Sequence, residues 1–156
     1  MLRYDGYAIT MQEVPDEISL CLNITGCLGR CEGCHSPHLR LSTGQPLRDD
    51  IEAMLARYDG MITCVCFMGE GNDPSDLFCL LPLVKGRGLK TCLYSGRDEI
   101  GPLGALIPVL DYLKLGSYRY DLGGLGKTTT NQRFYAVNGN ELVDITYRFH
   151  RKKDDQ

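Results

Sequence analysis

Four short apolar segments alternate with segments of helical spacing, and this alternation restricts the possible folds more than any other feature of the chain. Apolar runs of this length are typical of strands buried on both faces of a sheet. The predicted strands are Ile18–Thr25, Ile62–Met68, Leu89–Tyr94 and Asp111–Leu115. Strands that alternate with helices form right-handed βαβ units, so the sequence predicts an α/β fold with a mostly parallel sheet.

The segments between these strands carry helix signals. Apolar residues recur at helical spacing over Leu47–Tyr58, which predicts an amphipathic helix. Asp73 precedes Pro74 and is predicted to be the N-cap of a second helix that reaches Lys85. Asp98–Leu110 is predicted to be a poor helix, because glycines and prolines interrupt it.

After Gly116 the alternation stops. Tyr135–Asn138 and Glu141–Thr146 flank an Asn-Gly-Asn turn and predict a C-terminal hairpin. A chain of 156 residues is long enough for one sizeable core, so we expect a single domain over residues 1–156.

Composition excludes several classes of function. The net charge of −3 provides no basic face for nucleic acid. No apolar run approaches the roughly 18 residues of a membrane helix. The chain starts without a basic-then-apolar leader, so we expect a cytoplasmic location with neither membrane nor nucleic acid as a partner.

Three cysteines lie within eight residues, directly after the first predicted strand. Cys27, Cys31 and Cys34 are interleaved with glycines, which allow the backbone to wrap tightly around a ligand. Three thiolates so close in sequence suit one soft metal centre, and a [4Fe–4S] cluster has four irons to ligate. One iron is then left without a protein ligand, and an open position distinguishes catalytic metal sites from structural ones.

Two other interpretations of these cysteines compete with the cluster. A zinc site would use the three thiols with His35 or His38, although zinc loops usually pair two Cys-x-x-Cys knuckles and the chain has no second one. Disulfides are less favoured, because no signal peptide is evident. The remaining cysteines are predicted to be small buried hydrophobes of the core. They are Cys21, Cys64, Cys66, Cys79 and Cys92.

Polar residues follow the predicted strands at the edge where parallel sheets bind ligands. The second strand leads into Gly69 and Glu70, a small residue beside a carboxylate that suits an ammonium group. Asp73, three residues further along the chain, is the alternative carboxylate for this role. The third strand leads into Ser95, for which a turn is the alternative role. Lys114, on the fourth strand, either points inward or is an edge charge.

The spacing of the three clustered cysteines resembles the signature of the radical S-adenosylmethionine (radical SAM) enzymes. Most of that superfamily has an aromatic residue just before the third cysteine. This chain has Gly33 at that position, and in this it resembles the small activating proteins of anaerobic ribonucleotide reductase. A second match at 130–133, Thr-Asn-Gln-Arg, resembles the Ser/Thr-Asn-Gln-Arg element near the end of those activases. The resemblance is specific over Thr25–His35 and returns in fragments as far as Phe134.

The resemblance implies a fold and a set of site residues. The fold is an open, shortened α/β barrel, a partial (β/α) barrel of the radical SAM type, with the cluster loop after the first strand. The implied cluster ligands are Cys27, Cys31 and Cys34. The implied SAM-binding residues are Gly33, Cys34, His35, Gly69, Glu70 and Ser95. No catalytic residue beyond these cluster and SAM ligands is expected.

The resemblance also implies an activity. SAM is cleaved reductively at the [4Fe–4S] cluster, with electrons from an external one-electron donor such as a flavodoxin. The resulting radical takes a hydrogen from a glycine of a partner glycyl-radical enzyme, here anaerobic ribonucleotide reductase. Two alternatives stay open: radical SAM chemistry on another glycyl-radical enzyme or a small molecule, and a non-enzymatic zinc-binding adaptor. A ferredoxin-like electron carrier would need a fourth cysteine, which the loop lacks.

Overall fold

The computed structural model describes residues 1–26, 43–71 and 73–154. Within these ranges, eight strands form one sheet. The strands are β1 (Arg3–Thr10), β2 (Ser19–Ile24), β3 (Gln45–Pro46), β4 (Cys64–Met68), β5 (Lys90–Tyr94), β6 (Tyr112–Leu115), β7 (Arg133–Asn138) and β8 (Glu141–Asp144). The helices are α1 (Leu47–Arg57), α2 (Leu77–Lys85) and α3 (Tyr147–Asp154), with 3₁₀ segments at Pro74–Asp76 and Gly101–Val109.

The sheet has a parallel centre and antiparallel edges. Its strand order is β3-β1-β2-β4-β5-β6-β7-β8. Strands β2, β4, β5 and β6 run parallel to one another. Strands β1 and β3 extend one side of the sheet in antiparallel pairing, and β7 and β8 extend the other. The predicted α/β class is therefore confirmed, whereas the prediction of a mostly parallel sheet is wrong, because antiparallel strands flank the parallel centre on both sides.

The four predicted buried strands are all present, each with ends within two residues of the prediction. Helix α1 begins at Leu47 as predicted, and Tyr58 follows it as the C-cap. The poor helix is a 3₁₀ segment, Gly101–Val109, in which Pro108 lacks the N–H that a regular α-helix would use. In the described part of the chain, no helix combines the length and apolar composition that a bilayer crossing requires.

The predicted helix from Asp73 is divided into a 3₁₀ turn and α2. The predicted N-cap position of Asp73 is confirmed for that turn, although its side chain makes no capping hydrogen bond. Its carboxylate accepts hydrogen bonds from the amine of Met1 and the hydroxyl of Ser75 instead. These two hydrogen bonds hold the pKa of Asp73 below its usual value.

The predicted C-terminal hairpin is confirmed. Asn138 pairs with Glu141 across a two-residue turn, and Gly139 has a φ of +65° at the first turn position, as type II′ turns require. β8 ends before Thr146, because the Thr146 hydroxyl accepts the N–H of Phe134 at 2.8 Å, where a strand carbonyl would otherwise serve.

The two faces of the sheet bury different residue types. On the face turned toward α1 and α2, alternate residues such as Leu20, Val65 and Leu93 build the larger core. The opposite face carries four cysteines beside Phe134, and we call these four the thiol face. Its members are Cys21, Cys64, Cys66 and Cys92. Their burial confirms the prediction for these four.

The thiol face is packed in register. Cys66 lies opposite Cys21 on one neighbouring strand and opposite Cys92 on the other. Burial raises the pKa of Cys66 and Cys92, and it raises the pKa of Cys64 to about 12. A hydrogen bond with Cys66, together with burial, raises the pKa of Cys21. These thiols therefore stay protonated near neutral pH, as core residues do.

The prediction that every cysteine outside residues 27–34 is buried is wrong for Cys79. It lies on α2, and its side chain is exposed. The residues of α2 that face the sheet are Leu77, Leu80, Leu81 and Val84, so Cys79 falls on the outer surface of the helix.

Candidate functional site

The loop with the three clustered cysteines lies outside the described residues, and so do its neighbours with predicted roles. These predictions concern Cys27, Cys31, Gly33, Cys34 and His35. The described chain does show where the segment begins and ends. β2 stops at Ile24, and the Thr25 hydroxyl donates to the carbonyl of Thr43 at 2.7 Å. The two ends of the segment are thus joined at the carboxyl end of β2.

The turn after β4 lies against the end of β2. Gly69 has a φ of +114° and Gly71 a φ of +58°, both in the region that favours glycine. A Cβ on Gly71 would lie 2.7 Å from the carbonyl oxygen of Thr25. The glycines therefore allow the backbone that carries Glu70 to approach the start of the cysteine segment.

Glu70 is buried and is held by residues that follow β5. Its Oε1 accepts a hydrogen bond from Ser95 Oγ at 3.0 Å. The same oxygen accepts Arg97 Nε at 2.8 Å, in an ion pair whose arginine is partly exposed. We call Glu70, Ser95 and Arg97 the strand-end site. Two residues that the sequence predicts to bind one ligand are thus in direct contact, 25 positions apart in the chain.

Ser95 forms the turn that is its alternative role, and its hydroxyl also contacts Glu70. Its Oγ accepts the N–H of Arg97 at 3.1 Å, which is the local hydrogen bond of a serine turn. The same hydroxyl donates to Glu70, so it faces the strand-end site. A buried hydroxyl that donates to one carboxylate oxygen fixes the orientation of that carboxylate.

Arg97 is a site residue that the sequence does not predict. Its position directly after the Ser-Gly turn was the available signal, since every residue just past β5 lies at the same sheet edge. The arginine provides a positive partner for the buried Glu70 carboxylate, which would otherwise be costly to remove from water. The site therefore contains a carboxylate and a guanidinium group in direct contact.

Lys114 points inward, the first of its two predicted orientations. Its side chain is buried, and Nζ donates to the carbonyl of Ser95 at 3.1 Å and to that of Gly116 at 2.7 Å. Nζ also lies 5.9 Å from the ring centre of Tyr94. Lys114 thus ties the ends of β5 and β6 together beside the strand-end site.

A cleft of about 550 Å³ opens next to Lys114. Tyr94 and Lys114 contribute to it from the sheet, and the connection between β6 and β7 contributes its other side. The residues on that second side include Tyr118, Tyr120, Lys127 and Gln132. Its lining is rich in aromatic rings and hydrogen-bond donors.

Asp73, the alternative acid, does not lie at the strand-end site. Its carboxylate is engaged by Met1 and Ser75, as described above. Of the two acids that the sequence offers, Glu70 is the one in contact with Ser95.

Among the described residues, no group of three or more His, Cys, Asp or Glu side chains is arranged to hold a metal ion. The four cysteines of the thiol face therefore form no such group.

Comparisons with protein-family models, with curated proteins and with solved structures each found no match.

Proposed function

We propose that this chain is a radical SAM activase, which cleaves S-adenosylmethionine at a [4Fe–4S] cluster and generates a glycyl radical on a partner enzyme. Anaerobic ribonucleotide reductase is the proposed partner. One observation carries the proposal: the Cys27, Cys31, Cys34 motif directly follows β2 in the sequence, and β2 ends at the sheet edge where Glu70 and Ser95 meet. The further proposal for the fold is that the parallel strands form an open, shortened barrel of the radical SAM type.

The residues present fit the two cofactors by their chemistry. Three thiols leave one iron of a [4Fe–4S] cluster free for an exchangeable ligand. SAM carries an ammonium group, and a buried carboxylate with a hydroxyl beside it is a suitable acceptor for that group. Cys27, Cys31 and Cys34 would hold the cluster, and Glu70 would bind the ammonium of SAM.

The chain's own residues have three tasks in this proposal. Ser95 and Arg97 orient the Glu70 carboxylate through Oε1. Gly69 and Gly71 allow the backbone that carries Glu70 to pack against Ile24 and Thr25, which places Glu70 beside the start of the cysteine segment. When bound, the cluster and SAM supply the one-electron cleavage and the radical that takes the hydrogen, while the protein excludes water and sets the geometry.

The open sheet supports a protein as the substrate. Among the described residues the strand order ends at β3 and β8 and does not close into a barrel, so a partner can cover the open side of the site. An external one-electron donor, such as a flavodoxin, would supply the reducing electron. The proposal places the reaction in the cytoplasm, where free thiols stay reduced.

Anaerobic reconstitution with iron and sulfide tests the proposal. The expected product is a brown protein with four irons per chain that converts SAM to 5′-deoxyadenosine when reduced. Addition of anaerobic ribonucleotide reductase should then give a glycyl radical in the electron paramagnetic resonance spectrum. One colourless zinc per chain and no 5′-deoxyadenosine would instead favour the zinc adaptor.

The identity of the partner needs its own control. A second glycyl-radical enzyme, incubated under the same conditions, should give no radical signal. A radical on that enzyme alone would keep the radical SAM chemistry but contradict the assignment of anaerobic ribonucleotide reductase. SAM cleavage without a radical on either enzyme would point to a small-molecule substrate.

A further inference from the structure

The motif at 130–133, Thr-Asn-Gln-Arg, has no task in the proposed function, yet it is densely hydrogen-bonded. Asn131 Nδ2 donates to the carbonyl of Ser117 at 3.0 Å. Thr130 Oγ1 donates to the carbonyl of Gly123 at 3.0 Å. The motif therefore fixes both the start and the middle of the connection between β6 and β7.

Gln132 is the most deeply integrated residue of this motif. Its side chain is buried, and Nε2 donates to the carbonyl of Gly116 at 3.3 Å. Its backbone N–H is accepted by Thr130 Oγ1 at 3.0 Å. Gly116 has a φ of +116°, and a Cβ on it would lie 2.9 Å from the Cα of Gln132. The backbone at the end of β6 is thus in close contact with Gln132.

The same carbonyl of Gly116 links Gln132 to the strand-end site. It accepts Lys114 Nζ as well as Gln132 Nε2, and Lys114 also binds the carbonyl of Ser95. The bond from Gln132 to Gly116 therefore joins the two residues that flank residues 117–131, a segment that we call the cleft wall. The cleft wall contributes Tyr118, Tyr120 and Lys127 to the cleft of about 550 Å³.

We propose that Gln132 is a positioning residue, which holds the cleft wall in place and thereby sets how the partner enzyme reaches the strand-end site. The claim about the partner rests on the proposed function. The claim about the cleft wall stands on the hydrogen bonds of Gln132, Thr130 and Asn131 alone.

Amide hydrogen exchange of the full chain, measured by mass spectrometry, tests the positional claim. Gln132→Met keeps the side-chain volume and removes the amide donor. Amides of the cleft wall should exchange between about 3- and 10-fold faster, the effect of losing one ordinary hydrogen bond, while those of β4 and β5 stay unchanged. Equal exchange in the variant and the original chain would overturn the proposal, and so would acceleration spread over the whole sheet.

Arg133→Met is the matched control, since Arg133 is the next residue of the motif and its partly exposed side chain pairs with Asp144 at 3.6 Å. It should leave exchange in the cleft wall unchanged. If Gln132→Met does not fold, Thr130→Val provides the second test. It removes the hydroxyl that bridges Gly123 and Gln132, and it should accelerate exchange in the same segment.

Activity of the reconstituted protein tests the claim about the partner. Gln132→Met should cleave SAM with dithionite at a rate within about twofold of the original chain, and its KM for the partner should rise roughly tenfold. An equal loss of partner-independent SAM cleavage would overturn a positioning role toward the partner. If the original chain cleaves no SAM, the proposed function fails, while the exchange result still decides the positional claim.

Discussion

The strand-end site and the thiol face are built on the same parallel strands, but their polar side chains have different surroundings. Cys21, Cys66 and Cys92 occupy mid-strand positions and pair with one another in register. Cys64 begins β4 on the same face, and Phe134 and its neighbours cover all four thiols. Glu70 follows its strand, and its carboxylate is paired with an arginine that stays 37% exposed. Position along a strand therefore decides whether a buried polar side chain is enclosed within the sheet layer or lies at the sheet edge.

The physical reason for this difference is how completely neighbouring residues cover each region. A mid-strand side chain is enclosed by its neighbours on adjacent strands and by the layer above it. At the carboxyl ends of parallel strands the chain enters loops, and side chains there meet space that a ligand can occupy. A thiol in the first environment is a hydrophobe, whereas a thiol or carboxylate in the second has access to a ligand.

The largest expected effect separates a loop cysteine from a thiol-face cysteine. Under the proposed function, Cys31→Ala should lose its iron, and its rate of SAM cleavage should fall more than about 100-fold. A factor of about 100 is the upper end of the cost of losing a residue that only hydrogen-bonds to a metal ligand, so losing a ligand itself should cost more. Cys66→Ala should keep its iron and lose about 1–3 kcal/mol of unfolding free energy, as expected for a small cavity. Iron analysis and urea denaturation measure the two quantities. Iron loss in Cys66→Ala with retention in Cys31→Ala would reverse the comparison.

The second effect concerns the backbone of the strand ends. Gly71→Ala combines a φ of +58° with a Cβ placed 2.7 Å from the Thr25 carbonyl oxygen, so it should cost about 2–4 kcal/mol of unfolding free energy. Gly88→Ala is the matched control: its φ is +76°, but no atom lies within 4 Å of the added Cβ. It should cost only about 1 kcal/mol in the same urea titration. Equal costs would show that the contact with Thr25 is unimportant.

The third effect tests the acid of the strand-end site. Glu70→Gln removes the charge that would pair with the SAM ammonium, so the KM for SAM should rise roughly tenfold, or about 1.4 kcal/mol. Asp73→Asn should leave that KM unchanged, since the Asp73 carboxylate is engaged by Met1 and Ser75. The rate of 5′-deoxyadenosine formation measures both. The opposite pattern would assign the ammonium to Asp73.

The smallest effect is a pH dependence of stability from the thiol face. Burial raises the pKa of Cys64 to about 12, whereas an unfolded thiol has a pKa of about 8.5. Between these values the unfolded chain loses a proton that the folded chain keeps, so the free energy of unfolding falls as pH rises above about 8.5. Each such thiol contributes up to about 1.4 kcal/mol per pH unit, and the contribution is absent below that pH.

Cys64→Ala should therefore make the decline above about pH 8.5 less steep, by up to the amount of one thiol. Urea denaturation at a series of pH values measures the slope. Leu83→Ala, at an exposed position of α2, changes no ionisable group, so it is the control and should leave the slope unchanged. An unchanged slope in Cys64→Ala would show that this thiol is not protected in the folded protein.

Local patterns in the sequence predicted the interior of the fold better than its edges. The four buried strands and α1 follow from apolar spacing, because burial on one or both faces requires it. β1 was not predicted: its residues are largely exposed, and Gly6 with a φ of +83° interrupts it where its register with β2 shifts. A strand that is exposed over most of its length leaves little apolar pattern, so its pairing with β2 and with β3 identifies it.

The sequence by itself determined which residue types follow each buried strand, and hence that Glu70 and Ser95 belong to one sheet edge. It also determined that Cys66 and Cys92 fall at core positions, since mid-strand apolar runs are covered. Only the tertiary structure decided that Arg97 shares Oε1 of Glu70 with Ser95, and that Gln132 reaches the carbonyl of Gly116. Such contacts depend on the register and twist of neighbouring strands, which side chains far apart in the chain set jointly.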